Sequence, residues 1–226
     1  MDPANRPILE TVEDRLEARW PDDRRGTGIT VDFSAMRFPH GADAVRGMPL
    51  VRACGADLAR QGARLVDATA GLGYDAFVLA LAGFEVVAFE RSAEVFRLLE
   101  DGVRRAAPPR LRVRHGDARD ALAELAPHVV YLDPMYPEKR RASALPPKEM
   151  QVVRALVGDD RDSDDLLAAA MAVAERVVVK RPLHAPSLAD GHPAPHAVPH
   201  HTIAGKLARF DVYECPRPRG EEEGKG

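Results

Sequence analysis

The chain has 226 residues, 45% hydrophobic and 30% charged, with a formal net charge of −3. These proportions exclude a disordered or fibrous protein, and the charge excludes one that coats nucleic acid indiscriminately. The length favours one α/β domain with an extension over two small domains. The N-terminus, MDPANRPILETVEDR, has acids and prolines where a signal peptide would be apolar, and no apolar run approaches the roughly 18–20 residues that span a bilayer. A cytoplasmic protein is therefore expected. Cys54 and Cys215 fit no redox or metal spacing and read as packing residues.

In chain order, residues 1–60 read as an N-terminal extension packed on the main domain and available for substrate recognition. Within it, Ile29–Phe33 suits a short strand, and Ala42–Gln61 suits one or two helices broken near Gly47-Met48-Pro49. Residues 61–216 read as the main domain. Short β-branched runs at 65–68, 85–89, 111–114, 129–132 and 177–180 alternate with segments long enough for helices, which predicts βαβ units and a mostly parallel sheet with helices on both faces. The last pair of runs, 197–203 and 209–215, leaves no room for a crossover helix and predicts an antiparallel hairpin at the sheet edge. The Pro- and His-rich stretch 182–199 reads as a loop, and 217–226 as a flexible tail.

Charge is segregated along the chain. Residues 104–119 carry six arginines against Asp117, and residues 138–148 carry Lys139, Arg140, Arg141 and Lys148 against Glu138. The acidic segment 159–165 reads as a loop leading into a helix N-terminus, where carboxylates face the positive end of the dipole. The arginines of 104–114 lie partly at the far end of their strand and are taken as surface. His192, His196, His200 and His201 sit among prolines without fixed ligand geometry, so no metal is expected.

The segment 65–77, LVDATAGLGYDAF, combines a buried strand, a tight turn at Gly71 and Gly73, and the start of a helix. Glycines let backbone approach a ligand, and the helix N-terminus behind them offers free N–H groups. This piece alone satisfies a dinucleotide fingerprint as well and leaves a nicotinamide enzyme open. Glu90 closes the next strand, where a carboxylate can accept both hydroxyls of a ribose, a need that adenosylmethionine and NAD share. His115-Gly116-Asp117-Ala118 closes the third strand; Asp117 can read an adenine amino group, cap the following helix, or do both. The fourth strand runs into Asp133-Pro134-Met135-Tyr136-Pro137. A conjugated amino group is a poor nucleophile until acceptors hold its N–H bonds and direct the nitrogen lone pair at the methyl donor. The Asp133 carboxylate and Pro134 carbonyl can be those acceptors, and Tyr136 offers a flat face for an extruded base.

The arrangement from Asp67 to Gly73 resembles the first motif of Rossmann-like S-adenosylmethionine-dependent methyltransferases, with Thr69 in place of their common first glycine. Residues 133–136 resemble the (D/N)-P-P-(Y/F) motif of enzymes that methylate exocyclic amino groups of bases, with Met135 for the second proline. VDATAGLGYDAFVLA (66–80), Glu90-Arg91, VVYLDPMYP (129–137), KEMQVVRALVG (148–158), DDLL (164–167), RVVVKRP (176–182) and RFDVY (209–213) together resemble the ribosomal RNA small subunit methyltransferase J family. The resemblance implies a Rossmann-like α/β fold, S-adenosyl-L-methionine as cofactor, and methylation of the exocyclic N2 of a guanine in small-subunit (16S) ribosomal RNA, free or in an assembly particle. It implies cofactor binding by Asp67, Gly71, Gly73, Tyr74, Asp75, Glu90, Arg91, Asp117, Ala118 and Asp133, and catalysis by Asp133, Pro134 and Tyr136. Tyr74 stands where the family often has arginine, and Gly116-Asp117-Ala118 replaces a more serine-rich turn. On this reading Lys139, Arg140, Arg141, Lys148, Lys180 and Arg181 form a basic rim for RNA phosphates. The competing readings are a methyltransferase for another amino base or a small molecule, an NAD-dependent oxidoreductase, and a noncatalytic RNA-binding domain.

Overall fold

Four short runs of valine and leucine lie side by side at the centre of the molecule, and the glycine-rich and acidic segments that follow them turn the chain at one edge. The computed structural model describes residues 6–135, 147–157, 163–185 and 198–215. Among them, β1 (Ile8–Val12) and β2 (Arg15–Arg19) pair as an antiparallel hairpin. Strands β3 (Arg64–Asp67), β4 (Glu85–Glu90), β5 (Leu111–His115), β6 (Val129–Leu132), β7 (Arg176–Pro182), β8 (His201–Ala204) and β9 (Ala208–Glu214) build one sheet in the order β5-β4-β3-β6-β7-β9-β8. The first five named in that order pair in parallel, while β9 runs antiparallel between β7 and β8. This is the expected α/β sheet with its edge hairpin. Chain order reverses between β3 and β6, and the crevice at their carboxyl ends is where open α/β sheets bind ligands.

Residues Val129–Leu132 are all buried, as a central parallel strand covered on both faces requires. One face packs Leu65, Val86, Val129, Tyr131 and Val178 against α2 (Pro49–Cys54) and α4 (Tyr74–Ala82). The other packs Val66, Val130, Leu132, Val177 and Val179 against α6 (Leu122–Leu125) and α8 (Ser163–Val173). A third cluster joins Ala18, Val31 and Phe33 to Val95, Leu98 and Leu99 of α5 (Ala93–Ala106) and to Val152 and Leu156 of α7 (Lys148–Val157). Each of the larger side chains there contributes about 1.5–3 kcal/mol by leaving water. Gly102 of α5 makes the approach possible, because a Cβ there would lie 2.3 Å from Val31 Cγ1. The N-terminal segment is fixed further by the Leu16 N–H donating to Asp101 Oδ2 at 3.2 Å.

Two expectations for the N-terminal region are corrected. Ile29–Phe33 is not a strand: Ile29 makes an isolated bridge to Ala18, and Asp32 Oδ1 accepts from the Ser34 N–H at 2.9 Å, bending the chain into a 3-10 turn at Phe33–Ala35. Residues 42–61 form three helices, α1 (Ala42–Arg46), α2 and α3 (Ala56–Arg60). The break at Gly47-Met48-Pro49 is as expected, and a second falls at Gly55, whose φ of +103° no helix accommodates. Cys54 is buried and Cys215 half-buried, and neither forms a disulfide.

Arg104 and Arg105 pair with Asp101, and Arg110 with Glu85, while Arg112 and Arg114 stand exposed on the edge strand β5. Asp164 and Asp165 lie in the first turn of α8. Asp159–Asp162 lie outside the described residues, as do most of the 182–199 loop and the 217–226 tail. Among the described residues no helix is long and apolar enough to cross a membrane.

Candidate active site

Strand β3 delivers Asp67 to the crevice almost fully buried, at 1% exposure, with its Oδ1 accepting from the Thr69 N–H at 3.1 Å. Burial pushes the Asp67 carboxyl well above the usual carboxylate range, and the neighbouring Asp75 and Asp133 push it the same way. The turn then passes through Gly71 (φ +54°) and Gly73 (φ +80°), left-handed values that favour glycine. The two glycines do different work. A Cβ on Gly73 would strike Leu99 Cδ1 at 2.3 Å, whereas one on Gly71 would meet no atom within 4 Å and would project into the open space before the turn.

Glu90, at the end of β4 and 6% exposed, clamps this turn: Oε2 accepts from the Gly71 N–H at 2.9 Å and Oε1 from the Ser92 N–H at 2.7 Å. Burial raises its carboxyl above the ordinary value, and these two N–H groups partly offset the rise. Each oxygen keeps a further lone pair for a ligand hydroxyl. Tyr74 packs edge-on against Phe33, and burial, with the nearby Glu149 carboxylate next in importance, pushes its phenol up to about 12.

At the end of β5, Gly116 (φ +139°) likewise has open space where a Cβ would stand. Asp117 caps the 3-10 turn Ala118–Asp120, accepting from the Arg119 N–H at 2.9 Å, and both its oxygens also face the Arg119 guanidinium. The helix-cap reading of Asp117 is thus seen directly. The Ala118 methyl is buried in the core beside Leu122, which leaves its backbone for any ligand. Arg91 is exposed, and its carbonyl lies 3.2 Å from His115 Nε2.

The fourth side of the crevice is a charged network. The Asp133 N–H donates to Thr69 Oγ1 at 2.6 Å, so the hydroxyl that stands where a glycine was expected ties the first turn to the end of β6. The Lys180 ammonium donates to Asp133 Oδ2 and to Asp75 Oδ2, each at 2.8 Å, and the Tyr131 hydroxyl donates to the same Asp75 oxygen at 2.6 Å. Desolvation pushes Asp133 above the usual range; Lys180 pulls it down and Asp75 adds to the rise.

Three members of the expected basic rim are placed otherwise. Lys180 lies inside the site. Lys148 is held by the Thr27 carbonyl at 3.0 Å and Asp23 at 2.9 Å, joining α7 to the N-terminal segment. Arg181 is 5% exposed, too buried to meet a phosphate chain directly. Tyr136, Lys139, Arg140 and Arg141 lie outside the described residues, while Pro134 and Met135 follow Asp133 at the crevice. Sequence reasoning missed Thr69 and Tyr131 as site residues and gave Lys180 another role. The available signal was a lysine ending the buried run Val177-Val178-Val179, on the strand beside the one that ends in Asp133. Among the described residues, no cluster of histidine, cysteine or carboxylate side chains suits a metal ion.

A family model described as "Putative SAM-dependent methyltransferase" matches residues 1–215, so the N-terminal extension belongs to the family unit as well. Ribosomal RNA small subunit methyltransferase J of Chromohalobacter salexigens is 47% identical over 83% of this chain and 77% of its own length. The Aeromonas hydrophila protein of the same name is 44% identical over 88% of this chain and 83% of its own. The crystal structure of a SAM-dependent methyltransferase from Neisseria gonorrhoeae is similar with a TM-score of 0.68 and 30% identity, covering 97% of this chain and 87% of that one. The site suits the cofactor these relatives imply. Asp75 and Asp133 share the Lys180 ammonium, two acids to one cation, surroundings that favour a ligand carrying a sulfonium and an ammonium over one carrying a diphosphate. The open space over Gly71 lets the backbone meet it closely. With this sequence match, this sheet order and this crevice, the chain belongs to the ribosomal RNA small subunit methyltransferase J family of S-adenosylmethionine-dependent methyltransferases.

Proposed function

We propose that this protein methylates the exocyclic N2 amino group of a guanine in small-subunit ribosomal RNA, in the cytoplasm. The observation that carries the reading is the placement of Asp133 and Pro134 at the carboxyl end of β6, across the chain reversal from the glycine turn that Glu90 clamps. Bound adenosylmethionine supplies an electrophilic methyl on a sulfonium, so the chain's task is positioning and no covalent enzyme intermediate is needed. Glu90 accepts the ribose hydroxyls, the backbone around Asp117 and Ala118 reads the adenine, and Asp67, Gly71, Gly73, Tyr74, Asp75 and Arg91 enclose the remainder. Asp133 and the Pro134 carbonyl accept the two amino N–H bonds of guanine, directing the nitrogen lone pair along the transfer line. Once methylated, that nitrogen is strongly acidic and passes a proton to Asp133 or to water. Tyr136 stacks on the extruded base, and Lys139, Arg140 and Arg141 meet the flanking phosphates of the RNA, free or in an assembly particle.

The test is nucleoside mass spectrometry of small-subunit ribosomal RNA from cells with and without the gene. N2-methylguanosine should fall when the gene is absent and return with the wild-type chain. An unchanged N2-methylguanosine level overturns the reading.

A further inference from the structure

The Lys180 ammonium has three protons to donate, and two of them go to carboxylates that reach it from different parts of the chain, Asp75 at the start of α4 and Asp133 after β6. The two carboxylates therefore lie within two hydrogen-bond lengths of each other, a like-charge pair that depends on the cation between them. Asp75 is itself held by the Tyr131 hydroxyl, and Asp133 by its backbone bond to Thr69, so both ends of the bridge are anchored to the sheet. Among the described residues Lys180 engages Oδ2 of Asp133, and no hydrogen bond is made to Oδ1. Two acids at 2.8 Å engage this ammonium inside the crevice, where its charge acts on Asp75 and Asp133.

We propose that Lys180 is a positioning residue for methyl transfer: its ammonium, shared with Asp75, holds Asp133 as an oriented carboxylate whose Oδ1 accepts the guanine amino N–H. This rests on the methyltransferase reading above and assigns within it a residue that acts through Asp133. The groups facing the bridge are Asp75 from α4, Asp67 from β3, Tyr131 from β6 and Phe210 opposite Lys180 on β9, with the buried Cys54 thiol of α2 near Asp67 and Asp75. Burial disfavours the ammonium, but Asp133 and Asp75 outweigh it and hold Lys180 above its ordinary range. The ammonium form of Lys180 is thus favoured at the bridge.

The positioning role has a signature that a purely structural role lacks. Activity requires ionised Asp133, so the rate rises with pH through the Asp133 titration. Removing the cation leaves Asp133 beside Asp75 and moves that limb to higher pH; removing the Asp75 charge takes away a like charge that raises Asp133 and moves it to lower pH. The experiment is single-turnover methyl transfer to small-subunit ribosomal RNA at saturating cofactor across about pH 5 to 9, for wild type, Lys180→Met, Lys180→Arg and Asp75→Asn, with calorimetric adenosylmethionine affinity alongside. Lys180→Met should slow transfer roughly 100-fold, shift the limb upward and leave cofactor affinity within about 3-fold. Lys180→Arg should return the limb towards wild type, and Asp75→Asn should shift it downward. If Lys180→Met does not fold, the direction of the Asp75→Asn shift decides. Limbs that stay in place or move together overturn the proposal, whereas a wild-type chain that binds the cofactor and leaves the RNA unmethylated overturns the functional reading instead.

Discussion

The two halves of the sheet meet the crevice by different means. On the side of β3, β4 and β5 the contact surface is backbone: turns at Gly71, Gly73 and Gly116 present main chain, and the acids there are occupied in holding it, Glu90 on the Gly71 and Ser92 N–H groups and Asp117 on that of Arg119. On the side of β6 and β7 the surface is charged side chains, Asp133, Lys180 and the adjoining Asp75 and Tyr131. A backbone cradle fixes the shape of what binds and is indifferent to small changes in protonation. A side-chain network fixes charge and direction at one atom. Under the proposed function, this division gives cofactor holding to the first half and reaction geometry to the second.

Substitutions can break that division. Asp133→Ala removes the acceptor from the second half and should lower the rate by about 10²–10³-fold while adenosylmethionine affinity changes little; single-turnover rates and calorimetry on the same preparation check both. A rate close to wild type would remove Asp133 from the reaction. Gly73→Ala attacks the first half through its packing. Left-handed backbone and the collision with buried Leu99 should together cost about 2–3 kcal/mol, read by chemical denaturation. Gly71→Ala, with the same backbone conformation and no collision, should cost less stability and more cofactor affinity, and equal losses at both positions would erase the distinction between them. Glu90→Ala should weaken adenosylmethionine binding by about 1.5–3 kcal/mol, since it loses the ribose contacts and releases the turn; an unchanged affinity would place the ribose elsewhere.

The smallest effect concerns Asp67, the acid where the halves meet. Its folded-state carboxyl is raised by burial, so the stability it contributes is fully present below about pH 3.9, the unfolded value, and is lost as pH rises through the folded one. Asp67→Asn keeps an acceptor for the Thr69 N–H and does not titrate. Its melting temperature should gain on the wild type as pH increases from about 4 towards 8. A constant difference across that range would show Asp67 to be ionised at no cost.

The backbone half was largely legible in the sequence because its logic is local. A strand, two glycines and a helix start are contiguous at 65–77, and Glu90 ends the next strand in the same edge-on position. The side-chain half was legible only in part. Asp133 announced itself by the proline after it, but Lys180 finds its partners across 47 and 105 residues, and only the sheet order brings them together. In the extension, the β1–β2 hairpin gave no signal because its turn places Glu13 and Asp14 at positive φ without the Asn-Gly or Asp-Gly pair that usually marks such a turn. Ile29–Phe33 has strand-like composition, but the Asp32 side chain competes for the backbone and wins.

The docking of Val31 against Gly102 constrains how the chain can be made. Residues 18–33 leave the ribosome before the surface they cover, which belongs to α5 and α7, ending at residues 106 and 157. Ala18, Val31 and Phe33 must therefore wait, exposed, until α7 has been made before their cluster can close. Contacts of such long sequence separation form slowly, and waiting apolar groups invite capture by other chains. This segment is thus made before its partners and placed after them, and the third core cluster closes only after the chain of α7 has emerged.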